Sequence, residues 1–311
     1  MNIVFFGTSE WAVPFLYTLN NSHHRIVRVV TTPDKKSGRG KIISPSPVKE
    51  AAQILNIPVI QPEDLKSPSF LEEIKKCNAQ IGVVVSYGKF IPEQLNKIFP
   101  HRMINVHPSL LPLYRGPAPI NWTIINGDRL TGVTIIEVNS KIDAGDILMQ
   151  WVVRIDEEDN YTTLSEKLSN IGRKMLLCCL ENIGYGRIGR KKQYGKLSTY
   201  APPLRKEDGR LNFGESVYTI VRKIKGMNPR PGTFTFLNGK RLKILKALPV
   251  SLKEKGSFYG EIIKIDRDAF YILCKDGALK LEQVQMEGRK KMDASSFLRG
   301  FPLKKGQILG K

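Results

Sequence analysis

The chain has 311 residues, 41% of them hydrophobic, with 49 Lys and Arg against 29 Asp and Glu and a formal charge of +20. This length accommodates two domains with a good core. No run of about 18 apolar residues occurs, so no membrane span is expected. The opening Met1-Asn2-Ile3-Val4-Phe5-Phe6-Gly7 has no basic n-region and runs straight into a strand pattern, so a cytosolic protein is expected.

The charge is unevenly placed. Residues 1–188 carry 21 basic and 18 acidic side chains, net +3, and residues 189–311 carry 28 and 11, net +17. An overall lysine bias would raise both parts alike, so the asymmetry points to a polyanion partner. The four cysteines, Cys77, Cys178, Cys179 and Cys274, form no CxxC pair. They read as small apolar residues, and neither a metal site nor a disulfide framework is expected.

Residues 2–6 have the pattern of a buried strand, and Gly7-Thr8-Ser9-Glu10 turns into a helix over 11–20. The turn is not GxGxxG, and a plain tight βα turn accounts for it. Residues 25–32 form a second strand. Residues 33–47 read as a long loop with Lys35, Lys36, Arg39 and Lys41, Arg39 lying between two glycines. A structureless loop of that length is usually functional or disordered. Its charge suits phosphate contact, and a solvated loop is the alternative. A helix over 47–55 begins with Pro47 in its first turn. A short strand at 58–60 and a helix at 69–76 follow. The apolar run 80–86 suits a parallel strand buried on both faces, and it ends at Tyr87-Gly88-Lys89.

Residues 102–106 form another short apolar strand. It delivers Asn105 and His107, two residues apart, to one face at its carboxyl end. Pro108, Pro112, Gly116, Pro117 and Pro119 then stop any regular element, leaving a stiff loop where open α/β sheets bind ligands. An Asn amide donates without charge, and a His donates or takes a proton near neutral pH. Such a pair aimed at one point suits an oxyanion in acyl transfer. Asp143, in the turn Asn139-Ser140-Lys141-Ile142-Asp143-Ala144-Gly145-Asp146, can orient the His or accept a proton. By spacing alone, Asn105 and His107 serve equally well as caps of a strand end.

A helix over 120–126, a strand over 132–138, an extended run over 146–155 and a long helix over 162–183 complete the first part, with Thr162 or Thr163 as N-cap. The alternation predicts a Rossmann-like doubly wound α/β sheet. The stretch 184–206 is rich in Gly and Pro, carries Arg190-Lys191-Lys192 and reads as an interdomain linker. Its basic triplet either touches nucleic acid or is simply solvated. A helix over 215–225 places Arg222, Lys223 and Lys225 on its exposed side. Short alternating strands at 233–237, 240–247, 259–265, 270–274 and 278–284 follow, punctuated by Asn238-Gly239 and Asp276-Gly277. This pattern predicts a small OB-like barrel, and Asp293 opens a final short helix. The expected division is a first domain over 1–188, a linker over 189–206 and a basic second domain over 207–311.

The segments Asn105-Val106-His107-Pro108-Ser109-Leu110-Leu111-Pro112, Tyr114-Arg115-Gly116 and Asp143-Ala144-Gly145-Asp146-Ile147, in this order, closely resemble the 10-formyltetrahydrofolate-dependent formyltransferases. The resemblance implies Asn105, His107 and Asp143 as the catalytic trio. It also implies a folate site lined by Ser109, Leu110, Leu111 and Pro112, with Tyr87 and Gly88 lending backbone to the pterin pocket. The opening strand and turn, the Gly-Arg-Gly-Lys insertion and Met227-Asn228-Pro229-Arg230-Pro231-Gly232 are similar to the tRNA-acting branch. That branch implies formyl transfer from 10-formyltetrahydrofolate to the methionine α-amino group of initiator methionyl-tRNA, by a monomer without a metal. Lys35, Lys36, Arg39, Lys41, Arg190, Lys191 and Lys192 would then meet the tRNA. Three alternatives stay open: transfer to a small nucleotide or sugar-nucleotide amine, hydrolysis or oxidation of the formyl donor, and a non-catalytic RNA-binding protein.

Overall fold

A computed structural model describes residues 1–37, 42–252, 254 and 256–310; the side chains of 36, 37 and 42 lie outside the description. The chain divides into two compact units. The first is Met1–Pro119, Leu130–Arg154 and Ser165–Ala201; the second is Ile120–Arg129, Ile155–Leu164 and Pro202–Lys311. Among the described residues no helix is long and apolar enough to cross a membrane.

Up to residue 184 the elements run β1 (Asn2–Gly7), α1 (Val13–Asn20), β2 (Arg25–Val30), β3 (Lys35–Ser37), β4 (Ile42–Ser44), α2 (Pro47–Ile54), β5 (Val59–Ile60), α3 (Pro68–Lys76), β6 (Ile81–Val85), α4 (Glu93–Asn96), β7 (Met103–His107), α5 (Pro119–Asn126), β8 (Leu130–Glu137), β9 (Ile147–Arg154) and α6 (Tyr161–Gly184). The main sheet has the order β5-β2-β1-β6-β7-β8-β9. The pairs from β5 to β7 are parallel, and β8 and β9 run antiparallel. Val4 and Phe6 of β1 pack with Phe70 and Ile74 of α3 and with Phe99. The alternating Ile3 and Phe5 are also fully buried, so the sheet is covered on both faces, as a doubly wound sheet requires.

Local chemistry explains several boundaries. Ser46 caps α2 by accepting from the Lys49 N–H at 3.1 Å, with Pro47 in the first turn. Ser67 does the same for α3. At α6 the expected Thr162 or Thr163 cap gives way to Asn160, whose Oδ1 accepts from the N–H groups of both threonines at 2.9 and 3.3 Å. Tyr161 already starts the helix, because an Asn carbonyl reaches the second and third helical N–H groups as well as a hydroxyl does. The stretch 33–47, expected to lack structure, holds the antiparallel pair β3–β4. The expected contacts Arg39 and Lys41 lie outside the described residues.

The second unit contains α7 (Val217–Met227), β10 (Thr233–Leu237), β11 (Lys240–Val250), β12 (Ile262–Ile265), β13 (Phe270–Cys274), β14 (Gly277–Met286), β15 (Met292–Asp293) and α8 (Ala294–Gly300). Its antiparallel sheet has the order β10-β11-β14-β13-β12, with β15 on β14. The C-terminal tail joins its two edges. Gln307 and Leu309 exchange backbone bonds with Ile262 and Gly260 beside β12, and the Gly310 N–H donates to Phe236 O on β10 at 2.8 Å. These bonds close the sheet around Leu242, Ile244, Phe270, Ile272, Leu279 and Phe297, a barrel-like arrangement.

The basic residues of α7 differ from expectation. Lys223 Nζ pairs with both Glu215 oxygens at 2.7 Å, Arg222 donates to Asn126 O at 3.0 Å, and Lys225 donates to Glu157 O. All three are partly buried. Their charges are committed to bonds inside the unit. Of the cysteines expected to be apolar fillers, Cys179 and Cys274 are buried, and burial pushes both thiols up to about 12. Cys178 is exposed.

Candidate active site

The parallel order β1-β6-β7 lines up three carboxyl ends. Beyond β1, the Thr8 N–H donates to Ser86 O at 3.2 Å, the Thr8 hydroxyl donates to Tyr87 O at 2.8 Å, and Ser9 and Ser86 join hydroxyl to hydroxyl at 2.7 Å. Tyr87 itself is a core residue, 2% exposed and edge-on to Phe6. Its hydroxyl has no hydrogen-bond partner among the described residues, and burial raises its pKa. Gly88 follows with φ +78° and open space around its Cα. Here the backbone is what the strand end offers to a ligand, and the Tyr87 ring serves as its anchor in the core.

Asn105 and His107 end β7, paired to Ile136 and Thr134 of β8. Asp143 comes to them from the β8–β9 turn. Asn105 Nδ2 donates to Asp143 Oδ1 at 3.2 Å, and Asp143 Oδ2 lies 3.6 Å from His107 Nδ1. The Gly116 N–H donates to the same Oδ2 at 2.8 Å. The other ring nitrogen of His107, Nε2, is 2.9 Å from Tyr114 O. A carbonyl only accepts, so this bond places a proton on Nε2 and turns Nδ1 toward the carboxylate. His107 is only 4% exposed. The three side chains thus converge from positions 38 residues apart, with one carboxylate at their centre.

The loop after β7 is held from beneath. The Ser109 N–H donates to His107 O at 3.0 Å, and the Ser109 hydroxyl donates to Leu113 O at 2.7 Å. The buried Thr134 hydroxyl donates to Ser109 O at 2.6 Å and accepts from the Leu111 N–H at 3.2 Å and Gln150 Nε2 at 2.9 Å. Gln150 also donates to Leu111 O at 2.9 Å. Leu111 is buried, the Leu111–Pro112 bond is cis, and Leu110 packs over Gly132. Because a buried hydroxyl left unpaired is costly, this network fixes residues 109–112 as one rigid turn.

The stretch read as a linker contributes directly to the site. Lys191 and Ile147 exchange backbone bonds at 2.8 and 2.9 Å, and Arg115 and Ala201 are joined by a backbone bond of 2.7 Å. Gln193 Nε2 donates to both Asp143 O and Gly145 O at 2.8 Å. Its Oε1 accepts from Arg115 Nε at 3.1 Å and Nη2 at 2.7 Å. The Tyr200 ring lies over Gly116 and is itself more than half exposed. Sequence reading did not find Gln193, Thr134 or Gln150. None sits in a motif, and each acts through backbone carbonyls or hydroxyls that only the fold brings near.

The basic residues expected at a polyanion stand differently from one another. Lys35, Lys191 and Lys192 are exposed. Arg190 Nε is 2.6 Å from Glu137 Oε2, which raises the arginine's pKa further. The side chain of Lys36 is outside the description. Although no metal-ligand spacing is visible in the sequence, His23, His24 and Glu181 bring ligand-type atoms within 4.8 Å of one another. None of the three belongs to the group around Asp143.

The chain matches the formyl transferase family over residues 1–180 and the formyl transferase C-terminal domain over 203–302. It is 43% identical to methionyl-tRNA formyltransferase of Syntrophus aciditrophicus over 310 residues, covering 100% of this chain and 99% of that protein. It is 40% identical to the protein of the same name from Pelotomaculum thermopropionicum over 311 residues, again covering 100% and 99%. Among solved structures it resembles HypX from Aquifex aeolicus in complex with tetrahydrofolic acid, at 19% identity and TM-score 0.67, covering 99% of this chain and half of that one. The sugar 3N-formyl transferase WlaRD, solved with dTDP and 5-N-formyl-THF, is similar at 20% identity and TM-score 0.66, covering 93% of this chain and 99% of that one. Both likenesses are of fold.

Proposed function

The chain belongs to the formyl transferase family, and we propose that it transfers the formyl group of 10-formyltetrahydrofolate to the methionine α-amino group of initiator methionyl-tRNA. The observation that carries this reading is the convergence of Asn105, His107 and Asp143 at the carboxyl end of β7, in a chain matched end to end by methionyl-tRNA formyltransferases.

The bound folate would supply an activated formyl carbon on nitrogen. The pterin ring is assigned to the open Gly88 backbone and the rigid turn of Ser109, Leu110, Leu111 and Pro112, an assignment supported by the space at Gly88 and the bonds that hold the turn. The amine attacks the formyl carbon as a free base, and the carbonyl oxygen gains negative charge. Asn105 has two N–H groups; one reaches Asp143, and the other remains to meet that oxygen, joined by His107 when its Nε2–H turns from the Tyr114 carbonyl. Asp143 holds His107 by its Nδ1 side, and this pair takes the proton that the attacking amine must lose. The C–N bond to folate then breaks, with a proton returned to the departing nitrogen.

The tRNA reading rests on charge and on aromatic surface. Residues 189–311 carry the +17 excess. In the first unit, exposed Tyr194 and Tyr200 alternate with exposed Lys191, Lys192 and Lys196. Stacking rings among phosphate-seeking cations are the usual equipment for single-stranded RNA ends. Arg39, Lys41, Lys35, Lys36 and Arg190 belong to the same proposal. The reading includes a cytoplasmic monomer with a catalytic domain over 1–188 and a tRNA-binding domain over 207–311. The test offers labelled 10-formyltetrahydrofolate with charged initiator tRNA, glycinamide ribonucleotide, or water alone. Formyl on methionine, falling steeply with added salt, is expected. Equal transfer to the small amine, or formate release independent of tRNA, would overturn the reading.

A further inference from the structure

We propose that Gln193 is a positioning residue for the transfer reaction, setting Asp143 through its backbone. The inference rests on the reading of Asp143 as a member of the catalytic group. Asp143 has φ +48°, a left-handed conformation uncommon outside glycine, which aspartate tolerates better than most residues. Its turn has an exposed tip at Ser140, Lys141 and Ile142, so little cover comes from that side. The hold comes from Gln193, whose single amide nitrogen serves the carbonyls of Asp143 and Gly145, both at 2.8 Å.

The orientation of that amide is fixed chemically. Arg115 is a donor only, and it points both Nε and Nη2 at Gln193 Oε1. The NH2 group must therefore face the two carbonyls. These carbonyls belong to the same peptide segment that carries the carboxylate to Asn105, His107 and Gly116. Rotating that segment would swing the carboxylate away from all three partners. Gln193 is also the residue after the basic Arg190-Lys191-Lys192, and Lys191 is laced to Ile147 just beyond the turn. A chain segment suited to phosphate contact thus runs directly into the group that shapes the catalytic turn.

The test compares Gln193→Glu, which keeps an oxygen for Arg115 and deletes both donated bonds, with the apolar isostere Gln193→Met. In each, kcat should fall about ten- to a hundredfold, while KM for the folate donor and for charged tRNA stays within about twofold. The full-length enzyme is then assayed with Asp143→Ala alone and combined with each substitution. If Gln193 acts through Asp143, the double variants are no slower than Asp143→Ala. A kcat within about twofold of the unmodified enzyme in both Gln193 variants, or losses that multiply in the double variants, would overturn the proposal. Normal turnover by Asp143→Ala would overturn the reading of the site and the inference together.

Discussion

Gly145 has no room for a methyl group. A Cβ there would stand 1.6 Å from the carbonyl oxygen of Glu137, where a relaxed carbon–oxygen contact needs about 3.3 Å. Gly145→Ala must therefore open that gap by about 1.7 Å. Glu137 ends β8 and is registered against Ile104 of β7, so the turn yields rather than the sheet. Asp143 lies two residues away in that turn. A misplacement of about 1 Å at a reacting group is enough for a hundredfold loss. We expect kcat to fall about a hundredfold, equivalent to about 2.7 kcal/mol in the barrier. The assay is transfer of labelled formyl to charged initiator tRNA at saturating donor, with a thermal melt in parallel. Because the tip of the turn is exposed, melting should drop by only a few degrees. A kcat within about threefold of the unmodified enzyme would refute the claim that this turn sets the carboxylate.

Other substitutions test separate layers. Asn105→Ala should lower turnover about a hundred- to a thousandfold with tRNA binding intact, and normal turnover would remove Asn105 from the oxyanion role. Thr134→Val leaves the buried Ser109 carbonyl and Leu111 N–H without their hydroxyl. A loss of about 1–3 kcal/mol in urea unfolding is expected, and an unchanged midpoint would show that the turn is held otherwise. Charge removal at Lys191 and Lys192 should raise KM for tRNA and flatten its salt dependence without changing KM for folate. Asp293 caps α8 by accepting from the Ser296 N–H at 2.7 Å, and this bond holds its carboxyl below the ordinary 3.8. A lowered folded value gives stability that is present above pH 3.8 and is lost as pH falls through the folded value. Asp293→Ala should thus melt lower at pH 7, the difference closing in acid below 3.8; a difference independent of pH would mean that the cap acts without its charge.

The sequence disclosed the site through its most rigid part. Asn105 and His107 are two apart on a strand, so their shared face follows from the pleat alone. Asp143 was visible as a carboxylate in a turn after an apolar run. The antiparallel course of β8 and β9 was less visible, because a buried run reads the same in either direction. Asn160 displaced the threonines as the cap of α6 because three residues within four positions were chemically able to cap. The solvent-facing reading of Arg222, Lys223 and Lys225 failed for a related reason. Charge on a helix face shows that partners are needed, but not whether they are water, Glu215 or a backbone carbonyl. Gln193 carries no local signal. Its work is done on atoms 48 and 50 residues away, in a stretch whose glycines and lysines spoke only of exposure.

The second unit draws residues 120–129 and 155–164 from within the span of the first, and this has a consequence for how the protein is made. The amide of Asn121 donates to Gly226 O, 105 residues further along, and Gly226 is packed so closely that a Cβ there would strike Ile125 and crowd Ile124. At a synthesis rate of about 5–20 residues per second, these isoleucines leave the ribosome about 5–20 s before the helix that covers them. A nascent chain halted at residue 201 has finished the sequence of its first unit, yet it still carries an apolar helix waiting for a partner. Such a chain should engage holding chaperones until α7 has been made.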